Sequence, residues 1–528
     1  SVTVNPLLTG NVTGRIRFTR IPATNLGLNY AGATPQPARG ILVLAVVPGT
    51  QADSATDNGV LGSATTAPDG TFGINIAANT NYQVLAVARM LRDASQPLPR
   101  WNVSVADVEV DADTVYTSTN GTTYNSSTAT AVNYDIPSGH GATGAVTGTR
   151  ASAPFAALDT IYQAMQLVLG AAPTTSFPPL LVDWATSNPG GETYFDPNQP
   201  QTIVLSADTT EDTDEFDQHV IAHEFGHYIE FNFSRADNIG GAHGLGDKLD
   251  IRTAFGEGFG YAFGAIVLND PVSHDTFVDA GIQRSSYFNV EDNPSTAPPG
   301  SPNGNYGCWC SESSVWSILW DLYDSTADVN DTLALGFTPL WSVLINQQRT
   351  TPAMTSIFSF ISALKTARPA DAVAIDGLLA GQNISPVQDA FGTGETHFPN
   401  NVAAAGALPV YTPITVGGGP VIVRNVDDAG TYNTLGNHRF LRFSLASTRT
   451  ISISVNSSNA AADKDPDFLL FHNGNLIGSG EDSTQVPEVE TFPNSAAGTY
   501  VLDVYDCANG CTTDQGTRGD YDLTVTVN

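Results

Sequence analysis

A chain of 528 residues is longer than one hydrophobic core serves, so two to four domains are expected. Its 53 Asp and Glu against 21 Lys and Arg give a formal net charge of −32. That charge repels nucleic acid and anionic lipid and excludes both as partners, while it suits cations, calcium included. Hydrophobic residues make up 41%, a globular composition. The longest apolar run, "ILVLAVV" (41–47), is too short to span a bilayer. No basic-then-apolar leader stands at Ser1, so the expectation is a signal peptide already removed. Three lysines (Lys248, Lys365, Lys464) and loops rich in Thr, Asn, Gly and Ser point to a secreted, extracellular or cell-surface protein.

In chain order, residues 1–135 read as all-β. "GRIRFTRI", "GILVLAVV", "GTFGINIA" and "YQVLAVARM" are short strand-forming runs, and "APDG" (67–70) is a turn. Phe72, Ile74 and Ile76 alternate as in a half-buried strand. The order of these runs resembles the carboxypeptidase-regulatory-like, transthyretin-type β-sandwich.

"DIPSGHGATGAVTG" (135–148) reads as a linker, and the character then changes. Residues 150–410 carry strands first and helices later, an α+β pattern. The expected helices are 154–170, 253–268, 313–324 and 356–368. A second Gly/Pro-rich joint, "ITVGGGPV" (414–421), precedes a β-rich module over 420–528. Its runs "HRFLRFSLA", "TISISVN", "DPDFLLFHNG", "GTYVLDVYD" and "GDYDLTVTVN", in that order, resemble the bacterial pre-peptidase C-terminal domain, a small sandwich found on secreted peptidases. No repeat of 20–50 residues is visible, which excludes a solenoid.

The chemistry concentrates in "DEFDQHVIAHEFGHYIEF" (214–231), with histidines at 219, 223 and 227. Helical residues four apart are rotated by about 40° and separated by about 6 Å along the axis. His223 and His227 can therefore aim two imidazoles at one ion. Glu224, on the neighbouring flank, can reach a water without binding the ion. This is the physical content of H-E-x-x-H: two neutral ligands and a general base on one helix. The bland alternative is a buried helix whose histidines hydrogen-bond within the core. His219 has drifted about 80° from His227 and reads as second shell or surface.

Catalytic zinc needs a third protein ligand and leaves its fourth position to water. Glu230 and Phe233 stand where the extended H-E-x-x-H-x-x-G-x-x-H pattern would place its glycine and its third histidine, so that pattern fails. Glu257, in "AFGEGFGYAFGA", is the candidate third ligand; its alternative role is a helix-start carboxylate. The acidic run "ADTTEDTDEFD" (207–217) reads as a helix cap through Asp212, Thr213 or Asp214. The sharper reading is calcium bound by Asp212 and Asp214, and "DKDPD" (463–467) offers Asp465 and Asp467 in the same way.

H-E-F-G-H followed by G-E-G-F-G resembles the gluzincin clan of zinc metallopeptidases, which includes thermolysin-like and fungalysin-like members. The resemblance implies zinc held by His223, His227 and Glu257, with Glu224 as base. It also implies that "GETYFDP" (191–197) is an edge strand pairing with an extended peptide substrate. Three departures stand out. The ligand helices are separated by the longer insert "ADNIGGAHGLGDKLD". Tyr261 occupies the place of a clan Asp that bonds a ligand histidine. "CWCSESSVWSILW" carries cysteines where the oxyanion-stabilising histidine is expected, leaving Tyr306, His243, Tyr287 and His274 as candidate substitutes.

The four cysteines form two close pairs, Cys308/Cys310 and Cys507/Cys511, expected as disulfides in an oxidising compartment. Free thiols and a link between the two pairs are the alternatives. The expectation is thus an α+β zincin-like catalytic domain flanked by two all-β sandwich domains. Its expected function is a secreted zinc-dependent endopeptidase acting on protein or peptide substrates. The competing readings are a catalytically quiet surface or assembly protein, with self-association or surface attachment through the β domains, and an exopeptidase.

Overall fold

The computed structural model describes residues 11–108, 114–128, 131–187, 192–291, 307–325, 332–397, 408–427, 431–459, 464–512 and 516–528. The chain is multidomain and dominated by β-sheets of sandwich type, with helices between them. It divides into two compact units, Ser1–Tyr228 with Phe263–Asn289, and Ile229–Ala262 with Val290–Asn528. Two of the three boundaries fall inside helices, Gln218–Phe233 and Ile251–Leu268, and the third follows the strand Ile282–Asn289.

The first unit begins as a sandwich. Val12–Arg20 alternates inward and outward, burying Val12, Ile16 and Phe18. It pairs with Val132–Ile136 in parallel and with Thr34–Pro37 and Thr71–Ile74 antiparallel. The facing sheet centres on Leu42–Val46, buried along its whole length between Val60–Thr65 and Asn81–Val87. A further sheet has the order Tyr194–Asp196, Thr202–Val204, Leu180–Asp183, Trp101–Ala106, Arg89–Arg92. Two of its strands come from the segment read as N-terminal sandwich, and Trp101–Ala106 pairs in parallel with Leu180–Asp183. The boundary at residue 135 is therefore crossed by a sheet. The expected linker is an ordered loop as well, closed by the His140 ring nitrogen 3.1 Å from the Gly144 carbonyl and by the Tyr30 ring.

Helix Ala153–Ala171 packs in this unit, and its Asp159 receives both Arg39 at 2.6 Å and Arg20 at 3.2 Å from the sandwich. The hairpin Val272–Asp279/Ile282–Asn289 turns through Ala280 and Gly281, both with positive φ, as a two-residue hairpin loop requires. Sequence periodicity had left this hairpin out, because its outer face is exposed and carries no apolar alternation.

In the second unit, helices Glu312–Tyr323, Phe337–Val343, Ile357–Ala367 and Ala372–Gly381 precede a sandwich. Its sheets are Tyr411–Pro413, Arg439–Leu445, Gly498–Asp506, Pro466–His472, Asn475–Gly480, and Val421–Asn425, Tyr521–Val527, Arg449–Ser457, Glu488–Ser495. Leu441, Phe443, Ile453, Phe468, Leu502 and Val525 meet between them in one core. The module starts before the expected joint, since Tyr411–Pro413 already pairs with Arg439–Leu445. Among the described residues, no helix is long and apolar enough to cross a membrane.

Candidate metal centre

Helix Gln218–Phe233 forms because Ile221, Ala222, Phe225 and Ile229 recur at helical spacing and all are buried. Phe225 stacks on Tyr228 (centroids 4.9 Å apart) and lies against Phe177 and Phe263. The Tyr228 hydroxyl donates to the Pro178 carbonyl at 2.7 Å. The helix is not capped by Asp212, Thr213 or Asp214. Asp212 and Thr213 form a short strand and Asp214 opens a 3-10 turn. Asp217 precedes the first helical residue, and its carboxylate accepts from the Thr276 amide (2.7 Å) and hydroxyl (2.8 Å).

This anchoring fixes which flank carries the chemistry. The Nε2 atoms of His223 and His227 lie 3.0 Å apart, with the rings nearly perpendicular at 84°. His223 and Glu224 are buried and His227 is half-buried. Of the two expectations for His219 the surface one is overturned: it is buried, with Nε2 3.1 Å from the Asp270 carbonyl.

Helix Ile251–Leu268 carries Glu257, buried, and its glycines are clearances. A Cβ at Gly264 would stand 3.1 Å from the His219 carbonyl oxygen, so a side chain there would press on the histidine helix. A Cβ at Gly258 would stand 2.5 Å from Val315 Cβ and 2.7 Å from the Glu312 carbonyl oxygen. Each of His223, His227 and Glu257 offers one ligand atom, and these three atoms lie within 4.8 Å of one another. Zinc bonds of about 2.0–2.2 Å in a tetrahedron separate ligand atoms by about 3.5 Å. Two imidazoles and one carboxylate are also the donor set of a catalytic zinc site with one open position, so these residues fit that metal.

The Glu257 carboxylate is held on both oxygens. Asn238 Nδ2 donates to Oε1 at 2.8 Å, and His243 Nε2 lies 3.4 Å from Oε2. The same His243 nitrogen is 3.4 Å from Glu312 Oε2. Burial pushes the Glu312 carboxyl up to about 7, with Glu257 and Asp247 adding to the shift and His243 opposing it. Of the other expected substitutes, Tyr306 lies outside the described residues. His274 bonds Asn25 at 2.7 Å and faces Tyr287 across the hairpin. Tyr261 packs edge-on against Trp316.

Cys308 pairs with Cys310 and Cys507 with Cys511, so both local disulfides form, with neither the free thiols nor the cross-domain link. The Cys308–Cys310 loop sits against the insert, where the Leu249 amide donates to the Cys310 carbonyl at 2.7 Å. Two residues later Glu312 begins its helix.

The acidic run makes a second cluster. Asp212, Asp214 and Asp275 each place a carboxylate oxygen within 4.8 Å of the others. Asp214 is buried, and among the described residues its Oδ1 has no hydrogen-bond partner, while the other oxygen accepts from Thr193. Burial, then the neighbouring carboxylates, raises Asp212 to about 7 and Asp214 well above the ordinary carboxylate range. In the last sandwich Asp465 and Asp467 are both buried. Burial, together with Asp465, Glu481, Glu488 and Asp506, pushes Asp467 up to about 8. Asp467 is grouped there with Cys507 and Cys511, whose sulfurs are already joined.

Sequence reasoning missed Asn238, Glu312 and Asp275. Glu312 reads locally as an ordinary first-turn carboxylate, and Asp275 sits in the overlooked hairpin. Asn238 carried no local signal.

No family model matches the chain, and no curated protein matches it. Solved structures resemble parts of it. The pre-peptidase C-terminal domain of a collagenase from Bacillus anthracis is 19% identical, covering 22% of this chain and 94% of its own, with a TM-score of 0.16. PliG of Aeromonas hydrophila, a periplasmic inhibitor of g-type lysozyme, is 13% identical over 22% of this chain and 96% of its own, TM-score 0.15. CorA, a surface-associated copper-binding protein of Methylomicrobium album BG8, is 9% identical over 22% and 96%, TM-score 0.18. At such TM-scores these likenesses carry no argument about function.

Proposed function

We propose that this chain is a secreted zinc-dependent endopeptidase that hydrolyses protein or peptide substrates. The observation that carries the reading is the convergence of ligand atoms from His223, His227 and Glu257 beside the buried Glu224. His223, His227 and Glu257 would hold a zinc, which when bound would supply Lewis-acid polarisation of a carbonyl and an acidified water. Glu224 would accept a proton from water as the water oxygen bonds to the carbonyl carbon, and return it to the amine nitrogen as the C–N bond breaks. Among the described residues Tyr194–Asp196 is the last strand of its sheet, and a strand in that position suits main-chain pairing with an extended peptide. His243 faces two carboxylates, which favours a positioning role over the oxyanion donor expected of it.

Calcium is proposed as a second, structural ion at Asp212, Asp214 and Asp275. The support is the buried Asp214 oxygen, which has no hydrogen-bond partner among the described residues, within that cluster. Asp465 and Asp467 remain a candidate pair for the same ion in the last sandwich.

The test is metal analysis of the purified protein alongside cleavage of unfolded casein with and without a chelator. Stoichiometric zinc with chelator-sensitive cleavage supports the enzyme. Zinc without cleavage supports the quiet scaffold, and no zinc overturns the centre itself.

A further inference from the structure

The segment between the two metal-site helices carries Asn238 and His243, and the helix that follows begins at Glu312. A buried carboxylate is costly unless charge or hydrogen bonds compensate it. Glu312 is only 1% exposed, and among the described residues neither oxygen has a hydrogen-bond partner; the groups acting on it are the His243 ring at 3.4 Å, Glu257 and Asp247. His243 in turn is tethered through Nδ1, 3.1 Å from the Gly241 carbonyl. Gly241 has a φ of +98°, the left-handed backbone that favours glycine. The insert is thus folded so that one ring stands between two carboxylates, Glu257 and Glu312.

The glycines on either side of Glu257 fit the same plan. A Cβ at Gly256 would lie 2.8 Å from Asn238 Nδ2, the atom that donates to Glu257. A Cβ at Gly258 would strike the first turn of the helix that begins at Glu312. Both clearances sit where a positioning group approaches the carboxylate. The "GEG" triplet therefore reads as two sockets around one ligand.

We propose that Asn238, His243 and Glu312 form a positioning shell, supplied by the insert and the following helix, that aims the Glu257 carboxylate at the metal. This deepens the zinc reading and rests on it. Partners of this kind fix a ligand's orientation, and their loss typically costs about 10–100-fold in metal affinity.

The experiment is a zinc competition titration against a chromophoric chelator, using the full chain. Melting of the metal-free proteins is measured alongside. Asn238→Ala and Glu312→Gln are expected to weaken zinc binding roughly 10–100-fold while the metal-free melting temperature holds. His243→Gln, which keeps a donor toward the carboxylates, is expected to recover part of the affinity that His243→Ala loses. Should either main variant fail to fold, Gly256→Ala tests the same socket, since its methyl displaces the Asn238 amide without touching Glu257. Dissociation constants within threefold of the parent for Asn238→Ala and Glu312→Gln would overturn the shell and leave the zinc centre standing. A parent chain that binds no zinc would remove both.

Discussion

The two helices of the candidate centre are built on different principles. In Gln218–Phe233 nearly everything the site needs is local: two imidazoles and a carboxylate follow from spacing, and neighbouring aromatics pin the helix. In Ile251–Leu268 almost nothing is local. Glu257 is placed by Asn238, His243 and Glu312, and its helix is fastened at the base by Arg252. Arg252 bonds Asp250 at 2.8 Å and reaches Asp503, in the last sandwich, at 2.8 Å. His438 completes that buried group, 2.9 Å from Asp503. A motif of five residues can specify the first kind of site half. The second kind needs the whole fold.

The sharpest way to break this contrast is Glu224→Gln. Peptidase activity is expected to fall by about 10²–10⁴-fold, the usual contribution of a general base. Zinc content should stay at the parent level, as measured by metal analysis. A parallel loss of zinc would show that even the histidine side lacks local autonomy.

Arg252→Met tests the opposite side. It leaves Asp503 buried with His438 alone, and removing one partner from a buried pair costs about 3–5 kcal/mol. Urea unfolding should report that loss, together with weakened zinc binding. The acid limb carries a signature too. Burial by itself would raise the Asp503 carboxyl, yet Arg252 and His438 hold it below its ordinary value. That stability is present above the unfolded-state value and is lost as pH falls through the folded one. Acid unfolding of the parent should therefore lie at lower pH than that of the variant.

The stretch leading into the histidine helix gives a smaller effect with the opposite pH sense. Burial raises both Asp212 and Asp214, and repulsion adds to it, from Asp275 on the first and from Asp212, Asp217 and Asp275 on the second. Without an ion, the folded state holds more protons than the unfolded chain between about pH 4 and 7, so stability falls as pH rises through that window. Calcium should restore it. At a hundredfold excess over its dissociation constant the gain is about 2.7 kcal/mol, read by melting at pH 8 with and without the ion. The gain should shrink at pH 5, where the carboxylates are protonated. Asp214→Asn should shrink it at both.

The glycines give the smallest difference. Gly258→Ala forces a methyl against backbone and Val315, and overpacking of that kind costs about 1–3 kcal/mol. Gly264→Ala meets only a 3.1 Å contact, and alanine's better helix propensity offsets about 1 kcal/mol of it. Comparing the two by thermal melting ranks how tightly each neighbour presses on the Glu257 helix.

What could be read in the sequence follows the same division. The four expected helices between residues 150 and 410 match Ala153–Ala171, Ile251–Leu268, Glu312–Tyr323 and Ile357–Ala367, because their apolar faces repeat at short range. The strands of the last module were equally legible from alternation. What escaped notice depends on long-range pairing. Trp101–Ala106 joins Leu180–Asp183 in a sheet that spans the expected domain boundary. Glu312 reaches its partner through a contact 69 positions away in sequence, 243 to 312. No window of local sequence contains such information.

The Arg252–Asp503 contact binds residues 251 positions apart in a chain whose last module looks, in sequence, like a detachable ornament. A break anywhere between them leaves the cation at the root of the Glu257 helix dependent on fragments that can drift apart. Trimming by a neighbouring protease would then do more than shorten the chain: it would set a clock on the centre. Recombination is constrained in the same way. A foreign C-terminal module could replace this one only by bringing a carboxylate to the position of Asp503. The Asp503 carboxylate thus acts as a distant latch on the helix that carries Glu257, and that latch closes only while the last sandwich keeps its fold.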